Sequence, residues 1–232
     1  MAFLTVFGRG TAPDRSTLAW FPVVGAMIGF IIAAAYRLAH FLWLPFAAGV
    51  TVVIIDAVIT GALHLDGLAD SADGLLPHMK RSRRLEVMAE PDVGAFALVT
   101  VGLVLGLRAA MLSDPRSDPL ALGGVWTASR TLAAVVPATV PYARDAGLAT
   151  GFLAGARTRV GWWLAPAGVL LVVTSGWMGV AALAALLLAA ATIVALARAR
   201  IGGFTGDVLG AMIVVSETVA IATLVATPSG IR

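Results

Sequence analysis

Cysteine is absent from this chain and lysine nearly so: among its 16 basic residues, Lys80 is the single lysine. Without thiols, disulfides and thiolate metal sites are excluded. Charge is scarce as well. Only 12% of the 232 residues are charged, where a soluble domain carries about 25%. A chain this long has room for one sizeable core, but so few charges cannot cover that core in water. The 59% hydrophobic content and mean hydropathy of +0.94 predict instead an all-α, polytopic integral membrane bundle forming one domain over residues 1–232. The formal charge of +3 does not argue for nucleic acid, because arginines in such a chain mark cytoplasmic loops.

Other features are missing too. There is no internal repeat, no soluble domain, and no linker longer than the connection over 64–92. The N-terminal "MAFLTVFGRGTAPDRS" has a short apolar start, an arginine after it and no small-residue cleavage site, so it makes a poor signal peptide. It reads as a segment lying on the membrane surface. What remains is a series of apolar stretches near the roughly 20 residues needed to cross hydrocarbon. Seven spans are expected, over 18–36, 41–63, 93–112, 120–140, 161–175, 178–197 and 208–226. Glycine and alanine suit close helix packing in lipid.

The arginines orient the bundle. With the 64–92 connection in the cytoplasm, that side holds eleven basic residues: Arg9, Arg15, Lys80, Arg81, Arg83, Arg84, Arg144, Arg157, Arg159, Arg198 and Arg200. The other side holds three, Arg37, Arg116 and Arg232. This positive-inside bias predicts a multi-pass cell-membrane protein with its N-terminus and polar motifs in the cytoplasm and its C-terminus outside.

The polar motifs are few and dense. "GALHLDGLADSADGLLPHMKRSRR" (61–84) puts Asp66, Asp70 and Asp73 at i, i+4 and i+7, one face of a helix. Like charges so placed repel unless a cation sits among them, and carboxylates suit Mg²⁺ or Mn²⁺. Gly67 and Gly74 beside them leave room for a phosphate to approach. A solvated acidic helix end is the plainer alternative. His64 is a candidate general base or an interfacial residue. In "IGGFTGDVLGAMIVVSE" (201–217), Gly202, Gly203 and Gly206 precede Asp207 at a helix start, where free N–H groups attract anions; Thr205 is placed to cap that helix. Asp207 and Glu217 share a stripe, with Glu217 about 15 Å deeper. Arg108 or Arg130 is the expected partner for Glu217 or Asp56, since ions at that depth pair or function. Arg144, Arg157 and Arg159 signal topology or fork onto phosphate. Together the residues equip metal-dependent phosphoryl-type transfer at the cytoplasmic surface.

The pattern resembles a known family. "TGALHLDGLADSADGL", "FPVVGAMIG", "RLEVM", "SR" (Ser129–Arg130), "PYAR" (Pro141–Arg144) and "GGFTGDVLGA" follow one another as in the cobalamin-5'-phosphate synthase family, the adenosylcobinamide-GDP ribazoletransferases. The resemblance covers nearly the whole chain. It implies a magnesium-dependent phosphotransferase of cobalamin biosynthesis that joins adenosylcobinamide-GDP to alpha-ribazole or its 5'-phosphate and releases GMP. On this reading Asp66, Asp70, Asp73, Asp207 and Glu90 are the metal candidates. Asp66, Asp70, Asp73 and His64 are the catalytic candidates. Gly67, Gly74, Arg130, Arg144, Gly203, Thr205 and Gly206 are expected at the substrate. The chain departs from the family in "AEPDVG" (89–94), where Glu90 replaces a common aspartate and Asp92 a common arginine. "DSADG" also resembles the opening of the CDP-alcohol phosphotransferase motif, but no Ala-Arg follows Gly74. A transporter is the rival class, on the strength of its intramembrane ionisable residues.

Overall fold

The computed structural model describes residues 4–6, 14, 16–115, 118–144, 150–153 and 155–226. Arg9, Arg15, Arg116 and Arg232, counted above for orientation, fall outside these residues. The described chain is helical, in the order α1 Phe21–Leu42, α2 Pro45–Thr60, α3 Leu63–Leu75, α4 Arg81–Val87, α5 Ala95–Leu112, α6 Pro119–Val135, α7 Thr150–Leu153, α8 Leu164–Ser175, α9 Trp177–Ile201 and α10 Gly206–Val225. Short 3₁₀ turns stand at Thr17–Trp20, Val136–Ala138 and Thr158–Trp163.

Local chemistry explains the boundaries. Pro45 and Pro119 open α2 and α6 where a missing N–H costs nothing. Asp118 accepts from Leu120 N at 2.8 Å, and the Thr205 hydroxyl accepts from Val208 N at 3.3 Å, capping α6 and α10. Gly202, left-handed at φ 79°, ends α9.

All seven apolar stretches expected as spans are helical, but their lengths differ. Four helices are each long and apolar enough to cross a membrane, and the bent pair α2–α3 raises the count to five. α6 at 17 residues and α8 at 12 are shorter, so the expected seven spans reduce to four or five by length and composition. The stretch predicted as one span over 41–63 is broken at both ends: Phe41 and Leu42 finish α1, with Trp43 and Leu44 between it and α2. Gly61 and Ala62 both take left-handed φ, 59° and 57°, and the chain turns by 92° between α2 and α3.

α10 is the centre of the bundle: 72% of its span is buried, against 22% for α5 and for α9, whose outer faces are left for lipid. α1 packs on α6, and α10 lies against α9, α3, α6 and α5. Exposed Phe41, Phe46, Leu98, Leu103, Val173 and Leu188 are what a lipid-facing surface requires. Of the described residues in the N-terminal segment, Val6, Asp14 and Ser16 are exposed and the rest of its start is tucked in. Leu4 and Thr5 are buried, and Val6 N donates to Ile59 O at 2.9 Å, tucking this segment under the α2–α3 corner.

Candidate active site

The corner at Gly61–Ala62 redirects the chain so that α3 runs back along α10. The two helices meet through glycine. A Cβ at Gly67 would fall 2.8 Å from Asp207 O, and one at Gly210 would fall 3.3 Å from the His64 backbone. Such close approach by small residues is how helices pack where no water drives them together. It brings the two polar motifs, more than a hundred residues apart in sequence, to one place.

Two clefts open there, and Asp66 lines both. The acidic cleft is bounded by Asp66, Asp70, Asp73, Glu90 and Asp92 over Met88 and Ala97. The other, a cavity of about 180 Å³, is mostly apolar; its polar edge is His64, Asp66, Arg144 and Asp207, and Gly67 and Gly206 also line it.

The three α3 carboxylates share one face, as their spacing predicts, but they are not equivalent. Asp66 is exposed and Asp70 half-buried. Among the described residues neither makes a hydrogen bond or ion pair. Asp70 is within electrostatic reach of Asp207, Asp66 and Asp73, opposed by Arg144. Asp73 is buried and committed elsewhere. Its Oδ2 accepts from Gly94 N at 2.6 Å and its Oδ1 from Ala97 N at 2.9 Å, so it caps α5 from another helix. A side chain at Gly94 would collide with that carboxylate, 2.6 Å from Oδ1. Glu90 faces the acidic cleft but pairs with Arg83 at 2.7 Å in an exposed contact.

Asp207, in the first turn of α10, is only partly engaged. Its Oδ2 takes Arg144 Nη2 at 3.1 Å and the Thr205 hydroxyl at 3.1 Å. The same Arg144 nitrogen donates to Met88 O at 3.1 Å, joining the start of α10 to the end of α4. Tyr142 stands beside it. Ala143 N donates to Phe204 O at 2.9 Å and Phe204 N to Pro141 O at 3.0 Å, and the Tyr142 ring meets Phe204 edge-on at 5.4 Å. Burial holds the Tyr142 phenol above its ordinary pKa, with Arg144 pulling the other way.

Several expected residues sit elsewhere. Gly203 is pressed on Pro141, where a Cβ would lie 2.1 Å from the carbonyl oxygen, so it serves that chain crossing and lines neither cleft. Gly74 packs on Met88. Arg130 is fully buried in the bundle, paired with Glu217, and lines neither cleft. His64 lines the apolar cleft, and its Nε2 has no partner. Gly206 has open space where a side chain would go. Arg84, from the basic run, turns inward: it is buried and donates to Gly74 O at 2.8 Å and Leu75 O at 3.0 Å, capping the end of α3. Desolvation and the nearby Arg200 lower its pKa.

Sequence reasoning missed Tyr142, whose only signal is its place before Arg144 in "PYAR". It also missed the apolar cleft itself, whose walls come from six separate segments. Among the described residues, no three His, Asp or Glu side chains converge closely enough to hold an ion unaided.

Residues 1–225 match the family described as cobalamin-5-phosphate synthase. The chain belongs to that family. Curated relatives agree along nearly the full length. An "Adenosylcobinamide-GDP ribazoletransferase" of Chlorobium phaeovibrioides is 35% identical, covering 92% of this chain and 90% of its own. One of Chlorobaculum tepidum is 37% identical over 90% and 85% of the two chains, and one of Roseiflexus sp. 31% over 97% and 87%. No solved structure matches the chain. At the level of the family, the site described above belongs to an enzyme of cobalamin synthesis.

Proposed function

We propose that the chain is an adenosylcobinamide-GDP ribazoletransferase whose clefts face the cytoplasm, with Mg²⁺ as its cofactor. One observation carries the reading: Asp66 and Asp70, acids on one helix face without side-chain partners among the described residues, line the acidic cleft, and Asp66 stands where it meets the second cleft beside Asp207 and Arg144. Mg²⁺ commonly takes one or two carboxylates and completes its octahedron with water and substrate phosphate. Asp66 and Asp70 supply that set, with Asp207 and Glu90 the further acids of the two clefts. They fit the ion as a complex with the diphosphate rather than as a closed cage. When bound, it would neutralise the diphosphate and the charge that develops on the departing phosphate.

The protein groups do the positioning. Arg144 is placed to fork onto a phosphate oxygen, its Nε having no partner. Gly206, with open space around it, leaves the backbone open to the anion, whereas Gly67 is spent on the close crossing with Asp207. A hydroxyl of alpha-ribazole, or of its 5'-phosphate, attacks the phosphorus nearer the corrinoid. The new P–O bond forms as the bond to the GMP oxygen breaks, and the hydroxyl proton passes to an Asp66 oxygen. No covalent enzyme intermediate is needed. The arginine bias supports a cytoplasmic site: Lys80, Arg81, Arg84, Arg144, Arg198 and Arg200 all lie around or near this end of the bundle.

The test is direct. Purified protein in detergent or lipid receives Mg²⁺, adenosylcobinamide-GDP and alpha-ribazole 5'-phosphate. One GMP should appear per corrinoid joined. No GMP under these conditions overturns the reading. Cysteines introduced singly at Ser82 and at Ala226, in a chain without native thiols, should label from opposite faces of sealed vesicles if the spans are odd in number between them.

A further inference from the structure

The acidic cleft accounts for the diphosphate, but the apolar cleft on the other side of Asp66 has no role in that account. We infer that it is the subsite for the aromatic base of the ribonucleoside acceptor, with Tyr142 the side chain that sets its fit. The inference rests on the ribazoletransferase reading above.

Position comes first. Asp66, Arg144 and Asp207 form the polar edge of this cleft, and Asp66 also lines the acidic one. A nucleoside whose base is seated here therefore presents its ribose hydroxyls at the carboxylate the two clefts share.

The walls decide which part of which substrate enters. Leu4, Phe21, Leu63, Leu209 and Ile213 offer no hydrogen-bonding side chain. Guanine carries donors and acceptors along its edge, which would be stranded there at a desolvation cost each. A benzimidazole base joined to ribose has one unsubstituted ring nitrogen and no other polar atom. Away from the edge made by Asp66, Tyr142, Arg144 and Asp207, the one polar side chain of the wall is His64, whose buried Nε2 has no partner and can answer the single free nitrogen of the ligand.

Size points the same way. A cavity of about 180 Å³ falls below the roughly 300–1,000 Å³ of a site for a drug-sized ligand. It matches one flat ring system and is too small to enclose a corrinoid. Tyr142 supplies a ring for stacking, in a position fixed by the two backbone hydrogen bonds to Phe204 and by the edge-on contact with its ring. Such an aromatic loses little freedom when a ligand arrives, which favours affinity.

The experiment pairs equilibrium dialysis of alpha-ribazole against the full-length detergent-solubilised protein with steady-state GMP release. For Tyr142→Ala, the Kd for alpha-ribazole and its KM should each rise at least about tenfold, while the KM for adenosylcobinamide-GDP stays put. Tyr142→Phe, which keeps the ring, should recover most of that loss and shows that the segment still folds. The base subsite is refuted if Tyr142→Ala leaves both acceptor constants unmoved, or moves the donor KM instead, while wild type still releases GMP. Absence of GMP from wild-type protein supplied with both substrates is the different failure: it removes the ribazoletransferase reading, and this inference with it.

Discussion

Two groups of charges lie within this bundle, and they are built on opposite plans. Deep between α2, α5, α6 and α10, Asp56, Arg108, Arg130 and Glu217 form a closed quartet. Arg108 reaches Glu217 at 3.0 Å and Asp56 at 3.3 Å, and Arg130 pairs with Glu217. Trp126 donates to Asp56 at 3.0 Å and Ser129 to Glu217 at 2.7 Å. The charges sum to zero, and both guanidinium groups lie over the Trp126 ring. At the α3–α10 crossing the acids outnumber the bases, and among the described residues the Asp66 and Asp70 carboxylates have no hydrogen-bond or ion-pair partner. Removing water makes an unpaired charge expensive, and in the deep group every charge has an opposite one beside it, although Arg130 Nε and Nη2 find no hydrogen-bond partner. The shallow group is incomplete in the protein alone, as a site must be if a cation and a phosphate are to complete it. The same contrast weakens a transporter reading, because the intramembrane ions that suggested one are spent on each other.

The contrast is broken most severely from the deep side. Glu217→Gln keeps the shape but leaves Arg108 and Arg130 with Asp56 alone. Loss of one partner from a buried ion group costs about 3–5 kcal/mol, so folded yield and thermal midpoint in detergent should collapse. Replacing Arg130 and Glu217 together by Met and Leu should recover part of that loss, because the Arg108–Asp56 pair survives. Unaltered stability of Glu217→Gln would mean the quartet is ornamental.

The shallow side should respond in the reverse sense. Asp70→Asn removes repulsion within the acidic cleft, so the thermal midpoint should hold or rise. GMP release should fall at least about a hundredfold, the scale seen when one electrostatic stabiliser is deleted. Asp73→Asn belongs to neither plan. It weakens a helix cap, so stability should drop by about 1–2 kcal/mol, and Gly94→Ala should show a similar defect through collision with the same carboxylate. The smallest effect is expected at the corner. Ala62 holds a left-handed φ that costs an alanine roughly 1–2 kcal/mol, so Ala62→Gly should raise the thermal midpoint slightly; a lowered midpoint would show that the methyl group packs there.

Much of this was legible in the sequence. The helical stretches follow from hydropathy alone, and the shared face of Asp66, Asp70 and Asp73 follows from the helical period. Pairing of Glu217 with arginine was expected from its depth. The divided fates of the aspartates were not. Asp73 is diverted by backbone N–H groups 21 and 24 residues further on, and no local pattern announces a cap supplied from another helix. Nor could spacing tell which arginine lines a cleft. Arg130 lies on a helix packed on every side, whereas Arg144 lies past its end, and that distinction is tertiary. The bend at Ala62 was hidden because alanine is a strong helix former; tertiary packing of α3 on α10 overrides that preference. Gly203 looked like a phosphate-binding glycine and turned out to be a packing one.

The central claim is that Asp66 and Asp70, and not Asp73, complete themselves with a divalent cation and the diphosphate. The most direct measurement is the Mg²⁺ activation curve for GMP release in the three asparagine variants, run at saturating substrates. The half-activating Mg²⁺ concentration should shift upward at least about tenfold in Asp66→Asn and Asp70→Asn and stay at the wild-type value in Asp73→Asn. Equal shifts in all three, or an unmoved curve in Asp66→Asn and Asp70→Asn, would contradict the account.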